Sequence, residues 1–156
     1  MTSHAPEHAA PPAGPATAAA RFSITIDGVD IASFSELVEL SSGIDPSALA
    51  LGGDQKGRLA LKKLPGKRVP PTVTLRRGHT NDSAVFAWHS DALRAATGRR
   101  DAVLVAFSTV GEPVARYSLE SAWPSLIQIS GLKAGASEVL VETVTIVCED
   151  IQPVSP

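Results

Sequence analysis

The run from Glu138 to Cys148 restricts what this chain can become more than any other stretch. Val139, Leu140, Val141, Val144, Ile146 and Val147 surround Thr143 and Thr145, and β-branched side chains at that density lose rotamer freedom in a helix but suit a pleated strand. Apolar residues fall on both faces. A strand with one wet face alternates more cleanly, so this strand is expected to cover its own core on one side and something further on the other. Upstream, Val114 to Leu119 read as a shorter strand. Trp123-Pro124 is expected to stop it, because proline has no amide donor for a ladder, and Gly131 to Ala136 form a flexible polar link.

The same periodicity marks the amino-terminal half. Phe22, Ile24 and Ile26 alternate with Ser23, Thr25 and Asp27, a one-sided strand ending in an Asp27-Gly28 turn. Phe34 to Leu40 is expected to form a second strand, and Thr72 to Arg77 another that stops at Gly78. Between Ser41 and Leu64, turn residues at Gly43, Pro46, Gly52, Gly53 and Gly57 interrupt any sustained period. Unpatterned stretches of that length inside a domain are usually functional or disordered. Leu49, Leu51, Leu59 and Leu61 favour an arm that orders against a neighbour over a floppy loop. One helix is expected, capped by Asn81 or Asp82 and running to about Thr97, with Val85, Trp88, Ala92 and Ala95 on one stripe and Gly98 as a left-handed stop. Val103 to Phe107 is a further strand, joined to Val114 through a hairpin. The expected class is mainly β with one flanking α-helix.

At 156 residues the chain suits a single domain spanning residues 21–152. Its net charge of −2 and pI of about 6.1 argue against a free-standing nucleic-acid binder, which needs a clustered basic excess. Cys148 is the only cysteine, so an intrachain disulfide and a cysteine zinc cage are excluded. Residues 1–20 are dominated by Ala and Pro, lack a basic start, and read as an extended, disordered arm, neither a secretory signal nor a membrane span.

Reactive constellations are weak. His89, Ser90 and Asp91 are consecutive in the expected helix, where neighbours point about 100° apart and cannot converge on one atom. The histidines His4, His8, His79 and His89 lack ligand spacing, and Gly52-Gly53 lacks the Lys-Ser/Thr of a phosphate loop. No catalytic, cofactor or metal residues are therefore assigned. Glu138 and Glu142 share a strand face as a solvated or lumenal edge. The Arg76-Arg77 and Arg99-Arg100 pairs read as solvent-facing charges, or more sharply as inter-subunit ion pairs. Trp123 reads as core or interface packing.

Several segments in fixed order resemble the tail tube proteins of contractile phages and phage-tail-like contractile injection systems. They are FSITIDG from Phe22, the Phe34-Ser35-Glu36 step, the Lys63-Leu64-Pro65-Gly66 turn, TVTLRRG from Thr72 and Trp88. Arg99-Arg100, PVARY from Pro113, Ala122-Trp123-Pro124 and EVLVETVTI from Glu138 complete the set. The resemblance implies a two-sheet barrel-like fold without enzymatic activity, assembling as six-membered rings that stack into a tube with a polar lumen. It also implies a surrounding sheath protein, baseplate or spike and terminator partners, and protein or DNA cargo in the lumen, with no direct membrane insertion. The strands Thr72 to Arg77 and Glu138 to Cys148 are candidates for the ring wall, and Ser41 to Gly66 for contacts between rings or neighbours. On that reading the assembly residues are Leu49, Leu51, Leu59, Leu61, Leu64, Pro65 and Gly66, with Arg76, Arg77, Trp123, Glu138 and Glu142. Cytoplasmic assembly into a particle and release by lysis are the expected localisation. A baseplate-proximal tube initiator of the same family, or a monomeric binding module, is the alternative.

Overall fold

Residues 18–51, 60–95, 98–131, 135 and 139–156 are described by the computed structural model, with side chains for all of these except 48–51 and 60–62. The alternation at Phe22 to Ile26 forms β1 (Arg21–Ile26), with Ile24 and Ile26 buried. Asp27 and Gly28 both take positive φ, 51° and 78°, the geometry of a tight two-residue hairpin turn that follows the twist of its strands. That hairpin returns the chain along β2 (Val29–Phe34), a strand not anticipated from the sequence. The strand expected at Phe34 to Leu40 is in fact the end of β2 and the start of β3 (Glu36–Leu51), divided at Ser35. Its N–H donates to the Arg76 carbonyl at 3.0 Å.

β3 pairs with β4 (Ala60–Gly78) along almost its whole length. The unpatterned stretch after Ser41 is thus corrected to paired strand on either side of residues 52–59. The interruptions that hide the pattern fall where the ladder slips. Register shifts lie between Ser41 and Gly43 and between Ile44 and Pro46, and Pro46 sits opposite Pro65. The Lys63 to Gly66 turn is likewise strand. A Cβ on Gly66 would stand 2.5 Å from the Asp45 carbonyl oxygen, so glycine answers a close crossing of chains.

The helix α1 (Ala84–Arg94) buries Val85 and Trp88 and starts where the Asp82 carboxylate accepts from the Ala84 N–H at 3.0 Å. It ends earlier than Thr97, with Ala95 extended. Gly98 is not among the positive-φ residues. Its added Cβ would lie 2.3 Å from the Ala92 backbone, and its carbonyl accepts from Trp88 Nε1 at 2.6 Å. Absence of a side chain, not left-handed freedom, is what that position requires.

β5 (Arg100–Phe107) turns through Gly111, at φ 82°, into β6 (Pro113–Ser130), the element that departs furthest from expectation. The Trp-Pro corner redirects the strand and does not end it. Ser121 adopts φ 49° with its N–H held by Asp101 Oδ1 at 2.9 Å, and a register shift follows Pro124, which needs no donor at a bulge. Before the corner β6 pairs with β5 and with β8 (Asp150–Val154), a further unanticipated strand. Beyond it β6 pairs with β7 (Val141–Val147), which pairs with β4.

The antiparallel path β2-β1-β5-β6-β7-β4-β3, with β8 on β6, does not close into a barrel. Both halves share one core. Ile24, Phe34, Leu104 and Leu119 come from the first half, Val73, Leu75, Val144 and Ile146 from the second, and Val85 and Trp88 from α1. Each fully buried aliphatic side chain contributes roughly 1.5–3 kcal/mol by leaving water.

Candidate assembly surfaces

Alternation along the second half of the sheet divides its residues between two unlike faces. On β4, Pro71, Val73, Leu75 and Arg77 are buried while Thr72, Thr74 and Arg76 face outward; on β7, Glu142, Val144 and Ile146 are buried while Val141, Thr143, Thr145 and Val147 are half-exposed. Register places Glu36, Glu39 and Ser41 of β3 beside Arg76, Thr74 and Thr72, and Gln128 and Leu126 of β6 beside Thr143 and Thr145. The outer face is therefore rich in hydroxyls. Ser41 and Thr72 hydroxyls bond at 2.9 Å, Thr74 and Thr145 approach at 3.5 Å, and Arg76 pairs with Glu36 at 3.2 Å. Threonine satisfies strand geometry and water together. The outward side of β7, expected to cover something further, carries Thr143 and Thr145 between Val141 and Val147.

Both borders of this four-stranded half lack a ladder partner among the described residues. β3 is the terminal strand of the path, and β6 beyond its corner pairs only with β7. Val38 on β3 and Leu126 and Ile129 on β6 are 44%, 46% and 43% exposed. Open edges carrying apolar side chains are templates for pairing with another chain. From Gly43 outward the β3–β4 ribbon has no further ladder partner among the described residues, since β4 pairs with β7 only from Thr72 to Gly78, and its base is tied to β8 through Arg68 and Asp150. Isolated two-stranded ribbons are marginal in water.

The assembly residues named from sequence divide accordingly. Leu64 is half-buried opposite Ser47, and Pro65 and Gly66 are exposed on the ribbon. Leu49, Leu51 and Leu61 belong to its paired backbone, with side chains outside the described residues; Leu59 and Glu138 lie outside them altogether, as do residues 1–17 of the amino-terminal arm. Arg76 faces outward. Arg77 and Glu142, expected to face solvent, are each only 5% exposed and pair at 3.1 Å inside the chain. Alternation from Leu75 and Val144 carries both inward, and the guanidinium lies 5.0 Å from the Phe34 ring centroid. Nothing in the local sequence distinguishes them from surface charges. Arg99 and Arg100 pair with Glu149 and Asp91, at 3.5 and 3.3 Å.

Trp123 is half-buried beside a cavity of about 300 Å³ lined also by Arg68, Arg99, Val147 and Cys148. Burial, reinforced by Asp150 and opposed by Arg68, pushes the Cys148 thiol up to about 11, which leaves it an unreactive thiol at neutral pH. Hydrogen bonds from Gln152 and then Arg68 hold the Asp150 carboxyl below its ordinary value. His89, expected on an exposed face, is half-buried and donates from Nδ1 to the Pro124 carbonyl at 2.7 Å. Asp91 turns instead to Arg100. These partners dissolve the consecutive His-Ser-Asp as a set. Among the described residues no group of three or more His, Cys, Asp or Glu could hold a metal, and no helix is long and apolar enough to cross a membrane.

A four-stranded half-sheet open at both borders among the described residues, a projecting ribbon and a polar outer band are the features of a structural protein that joins other chains. Residues 18–152 match the family of the T4-like virus tail tube protein gp19, and the chain belongs to that family. It is a structural tail tube protein and not an enzyme. No curated protein sequence matches it. Solved structures with the same fold include the tube-terminating cap of the anti-feeding prophage, AFP, at TM-score 0.71, 18% identity and coverage of 98% of this chain and 100% of that one. The sheath-tube complex of the extracellular contractile injection system PVC gives 0.68, 18%, 88% and 90%, and the AFP baseplate 0.66, 22%, 92% and 97%.

Proposed function

We propose that this chain is the repeating inner-tube subunit of a contractile phage-tail-like injection system, forming stacked hexameric rings that make a conduit for cargo. The observation that carries the proposal is the pair of open edges on one four-stranded half. The edge of β6 near Leu126 and Ile129 and the edge of β3 near Val38 lie on opposite borders. Edge-to-edge pairing between copies joins unlike surfaces, and a head-to-tail contact with a closing rotation produces a ring. The sheets then merge into a continuous two-layered barrel wall, which a single chain leaves open.

The hydroxyl band with Arg76 and Glu36 becomes the lumen on this reading, and the core face stays inside each subunit. The ribbon formed by residues 43–51 and 60–69 reaches the adjoining ring or neighbour. Six copies per ring follow from the family resemblance and accord with the sixfold-symmetrised AFP baseplate that shares the fold. A sheath, a baseplate and a terminator are the partners implied by the assemblies in which that fold occurs. Assembly in the cytoplasm, release by lysis and a protein or DNA cargo complete the proposal. A ring that begins or ends the tube without repeating is the second reading, favoured by the likeness to the AFP cap along the whole of that chain.

Electron microscopy of the purified chain tests these readings. Long tubes support the repeating subunit, single rings the terminal one, and a monomer at high concentration refutes both. Leu64→Asp with Gly66→Arg is expected to leave a folded body that no longer stacks, because neither residue touches the core; normal tubes would refute the role of the ribbon.

A further inference from the structure

Charge is distributed unevenly along the chain. The described outer part of the ribbon, residues 44–51 and 60–68, holds four basic residues and one acidic one, net +3, in a chain whose overall charge is −2. Lys63 and Lys67 are exposed on β4 and pair with no described carboxylate, while Arg68 is held by Asp150. Ten residues beyond Lys67, about 33 Å away at roughly 3.3 Å per strand residue, the same strand ends beside a cavity of about 290 Å³.

Arg77 lines that cavity with Asp30, Ser33, Thr80 and Asp82. Its side chain is 6% exposed; Nε donates to Glu142, and Nη2 has no acceptor among the described residues. A buried guanidinium nitrogen left without an acceptor is destabilising by the desolvation of that donor. Asp30 accepts from the Thr25 hydroxyl at 2.6 Å and Asp82 from the first turn of α1 at 3.0 Å, each through one oxygen only. Glu142 already balances Arg77, and Arg21 reaches Ser33 at 3.4 Å, so the two aspartates still leave the mouth with a net negative charge. A free anion does not suit it. What suits it is an ammonium group for each aspartate, and an extended strand carrying two lysines supplies both.

We propose that this cavity is the docking site for the lysine-bearing ribbon of a second copy, Lys63 and Lys67 meeting Asp30 and Asp82 at its mouth. The inference rests on the tube reading and names the contact that stacks its rings. Plug and socket stand at opposite ends of one strand, so a chain cannot satisfy itself. A contact between unlike ends repeats without limit, which is the geometry of a stack. Its salt-bridged rim makes stacking sensitive to ionic strength.

The test uses charge reversal in the full chain, scored by electron microscopy and sedimentation. Asp30→Lys with Asp82→Lys is expected to lower the melting temperature slightly, through loss of the Asp82 contact to the first turn of α1, and to leave ring formation intact while shortening tubes roughly tenfold through like-charge repulsion. Lys63→Glu with Lys67→Glu, on the exposed ribbon, is expected to do the same, and all four changes together to restore length. Asp30→Cys with Lys67→Cys adds a readout independent of charge. The two positions are too far apart for a disulfide within one chain, so oxidation is expected to give a ladder of linked chains. Tubes of ordinary length from either reversed pair overturn the docking site and leave the tube reading standing. Short tubes that the fourfold variant does not lengthen, with no disulfide ladder, overturn it equally. Absence of any ring from the unaltered chain overturns both.

Discussion

β4 is one strand with two physical lives. From Pro71 to Arg77 it lies between β3 and β7, with every second side chain buried; from Ala60 to Val69 its one ladder partner among the described residues is β3, with Arg68 reaching Asp150 of β8. The inner stretch is stabilised by burial within the chain. Its outer stretch has ladder hydrogen bonds but no core, so its stability depends on what it meets. Substitution should therefore separate folding from assembly at about Val69, a boundary that falls inside a continuous strand.

The largest expected effect lies at the inner end. Glu142→Ala strands the buried Arg77 charge and should lower unfolding free energy by about 3–5 kcal/mol in urea titration. Arg77→Met combined with Glu142→Leu should recover most of that loss, because an apolar pair needs no compensating charge. Next, Leu75→Ala should cost about 2–5 kcal/mol through the cavity it leaves in the shared core. Gly98→Ala should cost about 1–3 kcal/mol, since its Cβ meets the Ala92 backbone. A body that tolerated all three would erase the distinction between the two stretches.

Smaller effects sharpen the comparison. The raised Cys148 thiol favours the folded state with its proton on; that contribution is complete below the ordinary value of 9.0 and is lost as pH rises through about 11. Melting temperature should fall across that interval, and Cys148→Ala should flatten the decline. Ile44→Asp with Val69→Asp, both exposed on the ribbon, should change unfolding free energy within about 0.5 kcal/mol per site and yet prevent tube formation. An equal loss of stability there would mean that the ribbon packs on its own body.

Local periodicity made much of the body legible. Phe22 to Ile26, Thr72 to Arg77, Val103 to Phe107 and the run before Cys148 all announce strands because one or both faces are apolar. β2 escaped notice because Val29-Asp30-Ile31 begins on an exposed edge. The outer ribbon escaped because Gly43, Pro46, Pro65 and Gly66, ordinarily turn residues, occupy its register slips and close crossing. The Trp-Pro corner misled for the same reason: proline cannot donate, but at a bulge nothing asks it to. Arg76 and Arg77 are adjacent in sequence and opposite in fate, a difference set by the strand's alternation and by where Glu142 falls across the ladder.

Strand propensity, the helix α1, the Asp27-Gly28 turn and the family resemblance all depend on residues close together in the chain, and the amino-acid order determined them unaided. Which edges stay open, which arginine is buried, and how the basic ribbon and the acidic cavity come to opposite ends of β4 depend on pairings between residues far apart in sequence. Those pairings are selected by the shared core, because only the packed sheet specifies which side chains leave water together.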